Sequence, residues 1–249
     1  MKISIITATY NSASTIQSCM ESVLNQSYDN IEYIIVDGGS SDKTLDVIKE
    51  KANGDARILY SSEPDKGIYD ALNKGINKST GDIVGFVHSD DFLAENTILE
   101  KIVNVFKIKN VDGVYGNLHY VAIENTDKII RNWVSENFEP KLLNKGWMPA
   151  HPTLFLKRKL YSDNGGFDLS YKIAADYDFI LRIFKQPQLR FSYLPETIVK
   201  MRVGGASNRS LKNIIQKTKE DYRAVKTNRT GNWMTIFIKN ASKLKQFIS

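Results

Sequence analysis

Ile83-Val84-Gly85-Phe86-Val87 is a short apolar run that ends abruptly in His88-Ser89-Asp90-Asp91. Bounded upstream by Thr80-Gly81-Asp82, it reads as a strand buried on both faces, with its carboxylates emerging at the C-terminal end. In open α/β sheets that end is where ligands bind. Adjacent acids repel unless something positive sits between them, and oxygen ligands of this kind suit Mg²⁺ or Mn²⁺. Asp90 and Asp91 also read as caps for the helix that follows, because Asp is a favoured cap. The run alone leaves both readings open.

The same pattern recurs upstream. Ile3-Ser4-Ile5-Ile6-Thr7-Ala8-Thr9 turns polar at Tyr10-Asn11, and a helix to Leu24 follows. Ile31-Glu32-Tyr33-Ile34-Ile35-Val36 ends in Asp37-Gly38-Gly39-Ser40-Ser41-Asp42 before a helix over 43–51. The paired glycines permit a tight turn and close backbone approach by a ligand, next to the free N–H groups of a helix N-terminus. Ile58-Leu59-Tyr60-Ser61 is a third strand, followed by Asp65-Lys66-Gly67 and an amphipathic helix over 68–78. Four strands alternating with three helices predict a parallel, Rossmann-like half with right-handed crossovers. Neither G-x-G-x-x-G nor the P-loop pattern follows the first strand, so neither NAD nor a P-loop nucleotide is indicated.

Beyond a helix over 96–107 the pattern changes to short strands at 113–117, 120–123 and 128–133, which predict a mixed or antiparallel half. The loop Trp147-Met148-Pro149-Ala150-His151-Pro152 gathers aromatic, imidazole and proline groups; a lone His so flanked is more often structural than catalytic, and Trp147 and His151 are candidate acceptor contacts on the general bias of loop residues toward function. Asp178 sits in the first turn of a helix and is explained by capping and the helix dipole. Asp176 lies among Ala174, Ala175 and Tyr177, where partial desolvation favours a general base. Strands at 190–194 and 197–202 lead to a Gly204-Gly205 loop with Arg202 at its base, suited to folding over a phosphate.

The chain has 249 residues, 42% of them hydrophobic, and a net charge of +6, enough for a substantial core and attraction to an anionic partner. Met1-Lys2 leads straight into a strand rather than a leader, and no apolar stretch approaches the ~20 residues of a membrane span, so the expected location is cytoplasmic. The single cysteine, Cys19, excludes an internal disulfide. Much of the positive charge lies after residue 208, where lysines and arginines interleave with Trp233, Ile236, Phe237 and Ile238. That pattern suits an interfacial amphipathic helix, peripheral on the cytoplasmic face of an inner membrane, or equally a helix packed on the domain with its cations in solvent.

Five motifs in order, Ser4-Ile5-Ile6-Thr7-Ala8-Thr9-Tyr10-Asn11, Val36-Asp37-Gly38-Gly39-Ser40-Ser41-Asp42, Asp65-Lys66-Gly67, His88-Ser89-Asp90-Asp91 and Ala174-Ala175-Asp176-Tyr177-Asp178, resemble the family 2 inverting glycosyltransferases of bacterial polysaccharide synthesis. The resemblance spans most of the chain up to about Ser207. It implies the α/β nucleotide-diphosphosugar transferase (GT-A) fold over 1–207, with a nucleotide-sugar half at 1–110, a mixed-sheet acceptor half at 111–207, and a basic helical extension at 208–249. It also implies metal-dependent single displacement by a hexosyl- or N-acetylhexosaminyltransferase. The donor is a nucleotide sugar, by family UDP-linked, and the acceptor a lipid-linked or polysaccharide hydroxyl in O-antigen, capsule or exopolysaccharide synthesis.

By position in the resemblance, Asp37 holds the nucleobase, with Thr7, Thr9 and Tyr10 around the nucleoside and Asp65 and Lys66 nearby. Asp90, next to Ser89, matches the last acid of the D-x-D motif and reaches the Mn²⁺ or Mg²⁺. His88 stands where many members have the first acid, which leaves Asp91 as a second candidate ligand. Asp176 matches the general base. Arg202 falls where a donor-covering loop is expected, without the histidine often found there.

Two rivals stand beside this. A nucleotidylyltransferase shares architecture and metal use, but Ala8-Thr9-Tyr10-Asn11-Ser12 lacks that group's glycine-rich, arginine-containing signature. A non-catalytic module binding membrane or nucleic acid through its basic end has no need of acids at several strand ends, and no nucleic-acid partner is expected.

Overall fold

The computed structural model describes residues 1–203 and 211–245. The Gly204-Gly205 loop, expected over the donor, lies outside them. The first half is built as the alternation predicts. Strand β1 (Ile3–Thr9) leads to helix α1 (Ile16–Leu24), β2 (Ile31–Asp37) to α2 (Thr44–Gly54), β3 (Ile58–Ser62) to α3 (Ile68–Lys78), and β4 (Ile83–Phe86) closes the series. These four strands are parallel in the order β3-β2-β1-β4. Register aligns Thr9, Asp37 and Ser62 across their C-terminal ends.

The second half continues the same sheet. After β5 (Asp91–Leu93) and α4 (Ile98–Lys109), β6 (Gly113–Val121) and β7 (Ile129–Trp133) form a hairpin. Then come β8 (Phe155–Lys157), α5 (Lys159–Asn164), α6 (Ala175–Phe184), β9 (Phe191–Arg202), α7 (Leu211–Asn228) and α8 (Trp233–Lys245). Strand β8 pairs antiparallel with β4 and β6, β6 runs parallel to β9, and β9 pairs antiparallel with β5. Residues 113–121 are one strand rather than two pieces, and so are 191–202. Pro195 removes a ladder donor without ending β9, because it falls at a break in the β6–β9 register between Tyr115 and Asn117.

Alternation along the buried strands sends side chains to two cores. Ile6, Ala8, Ile34 and Val36 pack with Leu72 and Ile76 of α3 and with α6, while Ile3, Ile5, Tyr33 and Ile35 meet α1, α2 and α4. Helix α3 rides close on β1 because Gly75 faces Ile6, where a Cβ would come within 2.4 Å of Ile6 Cγ2. One buried acid stitches the strand starts. Glu32 accepts from the Ser4 hydroxyl and from the Thr80 and Gly81 amides, and pairs with Lys2. Burial opposes its charge, but hydrogen bonds from Lys2, Ser4 and Thr80 prevail and hold its carboxyl down at about 2.

Helices α7 and α8 are packed on the domain. Ala224, Val225 and Ile236 join the core that contains α6. Lys239, which reads as part of a solvated basic run, is buried against Asp221 at 3.1 Å and over the Tyr177 ring. The other face of α8 leaves Trp233, Met234, Phe237 and Ile238 exposed. No helix among the described residues is long and apolar enough to cross a membrane.

Candidate active site

The C-terminal ends of β1, β2 and β3 converge on Asp37. Its side chain is buried and accepts three hydrogen bonds, from the Ser40 amide (3.0 Å), the Ser40 hydroxyl (2.5 Å) and the Ser62 hydroxyl (2.6 Å), which leaves one of about four acceptor positions open. Gly38 then brings the loops together, since a Cβ there would meet Asp65 Oδ2 at 2.5 Å and Tyr10 Cδ2 at 3.5 Å. Asp65 accepts from the Gly67 amide at 2.7 Å. Tyr10 is 62% exposed beside this turn, Lys66 is exposed, and Thr9 is buried with an unpartnered hydroxyl. Asn11 accepts from the Ser41 amide at 2.9 Å and tethers the first loop to the second. Thr7 lies beneath this surface, donating to the Val87 carbonyl at 2.6 Å and touching the Tyr33 hydroxyl. Ser40, Ser62 and Asn11 were not singled out from sequence, although Ser40 follows the Asp-Gly-Gly turn directly and Ser62 is the polar end of a strand.

His88-Ser89-Asp90-Asp91 is a turn between β4 and β5, closed by the Asp91 amide donating to the His88 carbonyl at 2.9 Å. Neither Asp caps α4, whose N-cap is Thr97. The two acids part company here. Asp90 is partly exposed, whereas Asp91 is fully buried in β5, with Oδ1 accepting from the Arg202 amide and Oδ2 unpartnered. Burial, reinforced by the neighbouring Asp90 charge, pushes the Asp91 carboxyl well above the usual range. Arg202 braces the turn from β9, donating to the Asp90 carbonyl at 2.8 Å and the Ser18 hydroxyl at 2.9 Å. Ser89 meets the Ser12 hydroxyl at 2.9 Å. Cys19 packs under the turn, and burial pushes its thiol up to about 12, so it stays protonated.

Among the described residues no group of three His, Cys, Asp or Glu side chains is placed to hold a metal ion by itself. The turn offers the Asp90 carboxylate and, beside it, the buried, unpartnered Nδ1 of His88. Mg²⁺ is commonly held by one or two carboxylates together with substrate phosphates. The residues therefore fit a cation that arrives with a diphosphate better than an all-protein metal cage.

The third component comes from the other half of the chain. Asp176 opens α6, and its Oδ1 lies 3.1 Å from the Tyr69 hydroxyl of α3. Burial pushes the His88 imidazole down, against the upward pull of the Asp90 and Asp176 charges. His151 stands 6.0 Å from His88, centroid to centroid, packed against Phe86 and Phe167, with neither ring nitrogen hydrogen-bonded. Burial pushes the His151 imidazole down to about 4 despite the pull of Asp176, with His88 adding to the fall, so it is neutral at pH 7. Trp147 lies apart from this group, in an aromatic cluster with Tyr115, Phe138 and Phe184. Tyr69 was read from sequence only as part of the amphipathic helix.

The strand-end acids of the first half and Asp176 of the second are the residues the sequence motifs singled out. Residues 4–165 match the family described as Glycosyl transferase family 2. The chain is also 32% identical over 208 residues to a Mycobacterium tuberculosis protein named PGL/p-HBAD biosynthesis glycosyltransferase, covering 82% of this chain and 78% of that one. The chain belongs to glycosyl transferase family 2. Solved structures agree on the GT-A fold of this family 2 enzyme. Residues 1-349 of S. aureus TarS, in complex with UDP-GlcNAc, superpose with a TM-score of 0.73 at 19% identity, covering 92% of this chain and 65% of that one. The mannosyltransferase PcManGT from Pyrobaculum calidifontis, in complex with GDP-Man and Mn2+, gives 0.65 at 19% identity over 97% of this chain and 69% of that one. The family 2 match ends at residue 165, before Asp176 and the helices behind it.

Proposed function

We propose that this glycosyltransferase moves a hexose or N-acetylhexosamine from a UDP-sugar to a hydroxyl of a lipid-linked or polysaccharide acceptor, with inversion, in bacterial surface-polysaccharide synthesis. The observation that carries the reading is Asp176. This partly exposed carboxylate is held by Tyr69 at the start of α6, and its charge, like that of Asp90, acts on His88.

In this reading Asp37 and the Tyr10 face take the nucleoside, with Thr9, Asp65 and Lys66 nearby. Asp90, with Ser89 beside it, lies toward the diphosphate, and Asp91 and Arg202 keep the turn in shape from behind. When bound, Mg²⁺ or Mn²⁺ held by Asp90 and the donor phosphates would offset charge developing on the leaving diphosphate. Asp176 takes the acceptor proton as the hydroxyl attacks the anomeric carbon from the face opposite the leaving group, so the configuration inverts. His151, neutral and with both ring nitrogens unpartnered, orients the acceptor hydroxyl. The exposed Trp233, Met234, Phe237 and Ile238 face of α8 rests on the cytoplasmic membrane surface where a lipid-linked acceptor is presented.

UDP is favoured by the UDP-GlcNAc complex of TarS, while the GDP-Man complex of PcManGT supplies the competing donor class. Thermal unfolding with a panel of UDP-, GDP- and dTDP-sugars, each with and without Mn²⁺, tests the assignment, because a ligand of the native state raises apparent stability. A UDP-sugar should give the largest metal-dependent rise. A larger rise with GDP-sugars would reassign the donor, and no rise with any nucleotide sugar would overturn the reading.

A further inference from the structure

Helix α6 begins without a local cap. Its N-cap is Ala174, which has no side-chain acceptor to offer the free N–H groups of a first turn. The segment that leads into it is held from α7 instead. The Glu220 carboxylate takes the amides of Lys172 (3.0 and 3.1 Å), Ile173 (2.8 Å) and Ala174 (3.0 Å), and is itself steadied by Gln216 at 2.7 Å. Burial disfavours its charge, but the Gln216 bond and these amides outweigh it and hold the carboxyl below its usual range.

Ile173 is gripped from both sides. Its amide donates to Glu220, and its carbonyl accepts from the Tyr69 hydroxyl at 2.6 Å, the same hydroxyl that reaches Asp176. Helix α7 is firmly seated for this task. Asp221 pairs with Lys217 and Lys239, and Asn228 donates to Asp178 of α6 at 2.8 Å.

We infer that Glu220 is a positioning residue, fixing the Lys172–Ala174 segment so that Asp176 faces the acceptor, and that the C-terminal helices are thereby part of the catalytic apparatus. The inference rests on the reading of Asp176 as the base. An anchor this close to the base acts on geometry to which rates are steeply sensitive; a displacement near 1 Å costs about 100-fold. The charged and titratable groups around Asp176 are Tyr69, His88, His151 and, behind the segment, Glu220.

The 249-residue chain and the variants E220Q, D176N and E220Q/D176N are compared with the sugar nucleotide that most raises the Tm. UDP affinity and the kcat and KM for hydrolysis of that donor are measured. Folded E220Q should bind UDP as the parent does and turn over about 100-fold more slowly through kcat, with the donor KM unchanged. In the D176N background, E220Q should change turnover by no more than about twofold, because residues acting as a unit are non-additive. If E220Q does not fold, Q216A loosens the same carboxylate and should reduce turnover in the same direction. Parental turnover in E220Q and Q216A while D176N is inactive overturns the inference alone, as does a loss from E220Q that persists undiminished in D176N. Parental turnover in D176N overturns the base assignment itself.

Discussion

The Tyr69 hydroxyl stands 2.6 Å from the Ile173 carbonyl and 3.1 Å from Asp176 Oδ1. It has one proton for two acceptors. Burial, then the Asp176 charge, pushes the phenol well above its usual range, so that proton is retained at any working pH. The tyrosine ties helix α3 of the first half to Ile173 and Asp176 at the start of α6. Tyr69→Phe should lower kcat by roughly 10-fold with donor affinity unchanged. Loss of a net hydrogen bond of about 1 kcal/mol should lower the Tm by a few degrees. Steady-state kinetics beside a thermal melt separate the two effects, and a variant with raised KM and intact kcat would place Tyr69 at the substrate instead.

Asp37 presents a different arithmetic. Both its oxygens already accept hydrogen bonds from Ser40 and Ser62, which fixes its orientation at the strand end. Asp37→Asn keeps the shape but exchanges one acceptor oxygen for a donor amide. UDP should bind about 10-fold more weakly, the loss of one charge-assisted hydrogen bond. Calorimetric titration of UDP decides the point, and an unaltered Kd would move the nucleobase away from the β2 end.

Asp37 and Asp90 were legible in the sequence because a β-branched run broken by an acid is a local signal. It marks both a buried strand and the end at which ligands gather. Asp91 was not separable from Asp90 by the same means. One step along the chain takes the residue from an open turn into β5, and only the pairing of β5 with β9 turns it inward. Arg202 carried a similar ambiguity, since a guanidinium that suits a phosphate also suits the Asp90 carbonyl it actually holds. Glu220 and Lys239 were invisible for another reason. Each sits in a charged helical run that reads as solvated, and its partner, the α6 N-terminus or Asp221, is brought to it only by helix packing.

Trp233 and Phe237 lie one helical turn apart on α8, with Met234 and Ile238 beside them, and all four are exposed while Ile236 on the other face is in the core. A face of this kind partitions into the headgroup boundary in proportion to its apolar area and its attraction to anionic lipid. W233A/F237A should reduce sedimentation with phosphatidylglycerol-containing vesicles by at least about 10-fold, with UDP affinity unchanged. Equal sedimentation of parent and variant would remove the membrane from the proposal.

His151 sets a stability gradient with pH. In the unfolded chain its imidazole takes up a proton near ~6.5, and in the folded chain only near about 4. Between these values the unfolded state binds more protons, so stability rises with pH across the window and is lost as pH falls from ~6.5 toward 4, by as much as ~3 kcal/mol. Asp91 opposes this slope, because its raised pKa makes the folded state the better proton binder. Both Asp91 and His88 remain in a His151→Phe variant, so the difference between the two chains isolates His151. Phenylalanine suits the neighbouring Phe86 and Phe167 rings and leaves no buried nitrogen unpartnered. The variant should therefore be at least as stable as the parent at pH 7, lose less stability by pH 4.5 in urea titrations, and turn over more slowly. Parallel stability curves for the two chains would mean that the imidazole is not held neutral by the fold, and undiminished turnover would release it from the acceptor. A gain in stability coupled to a loss of rate is what a polar group kept buried for its chemistry produces.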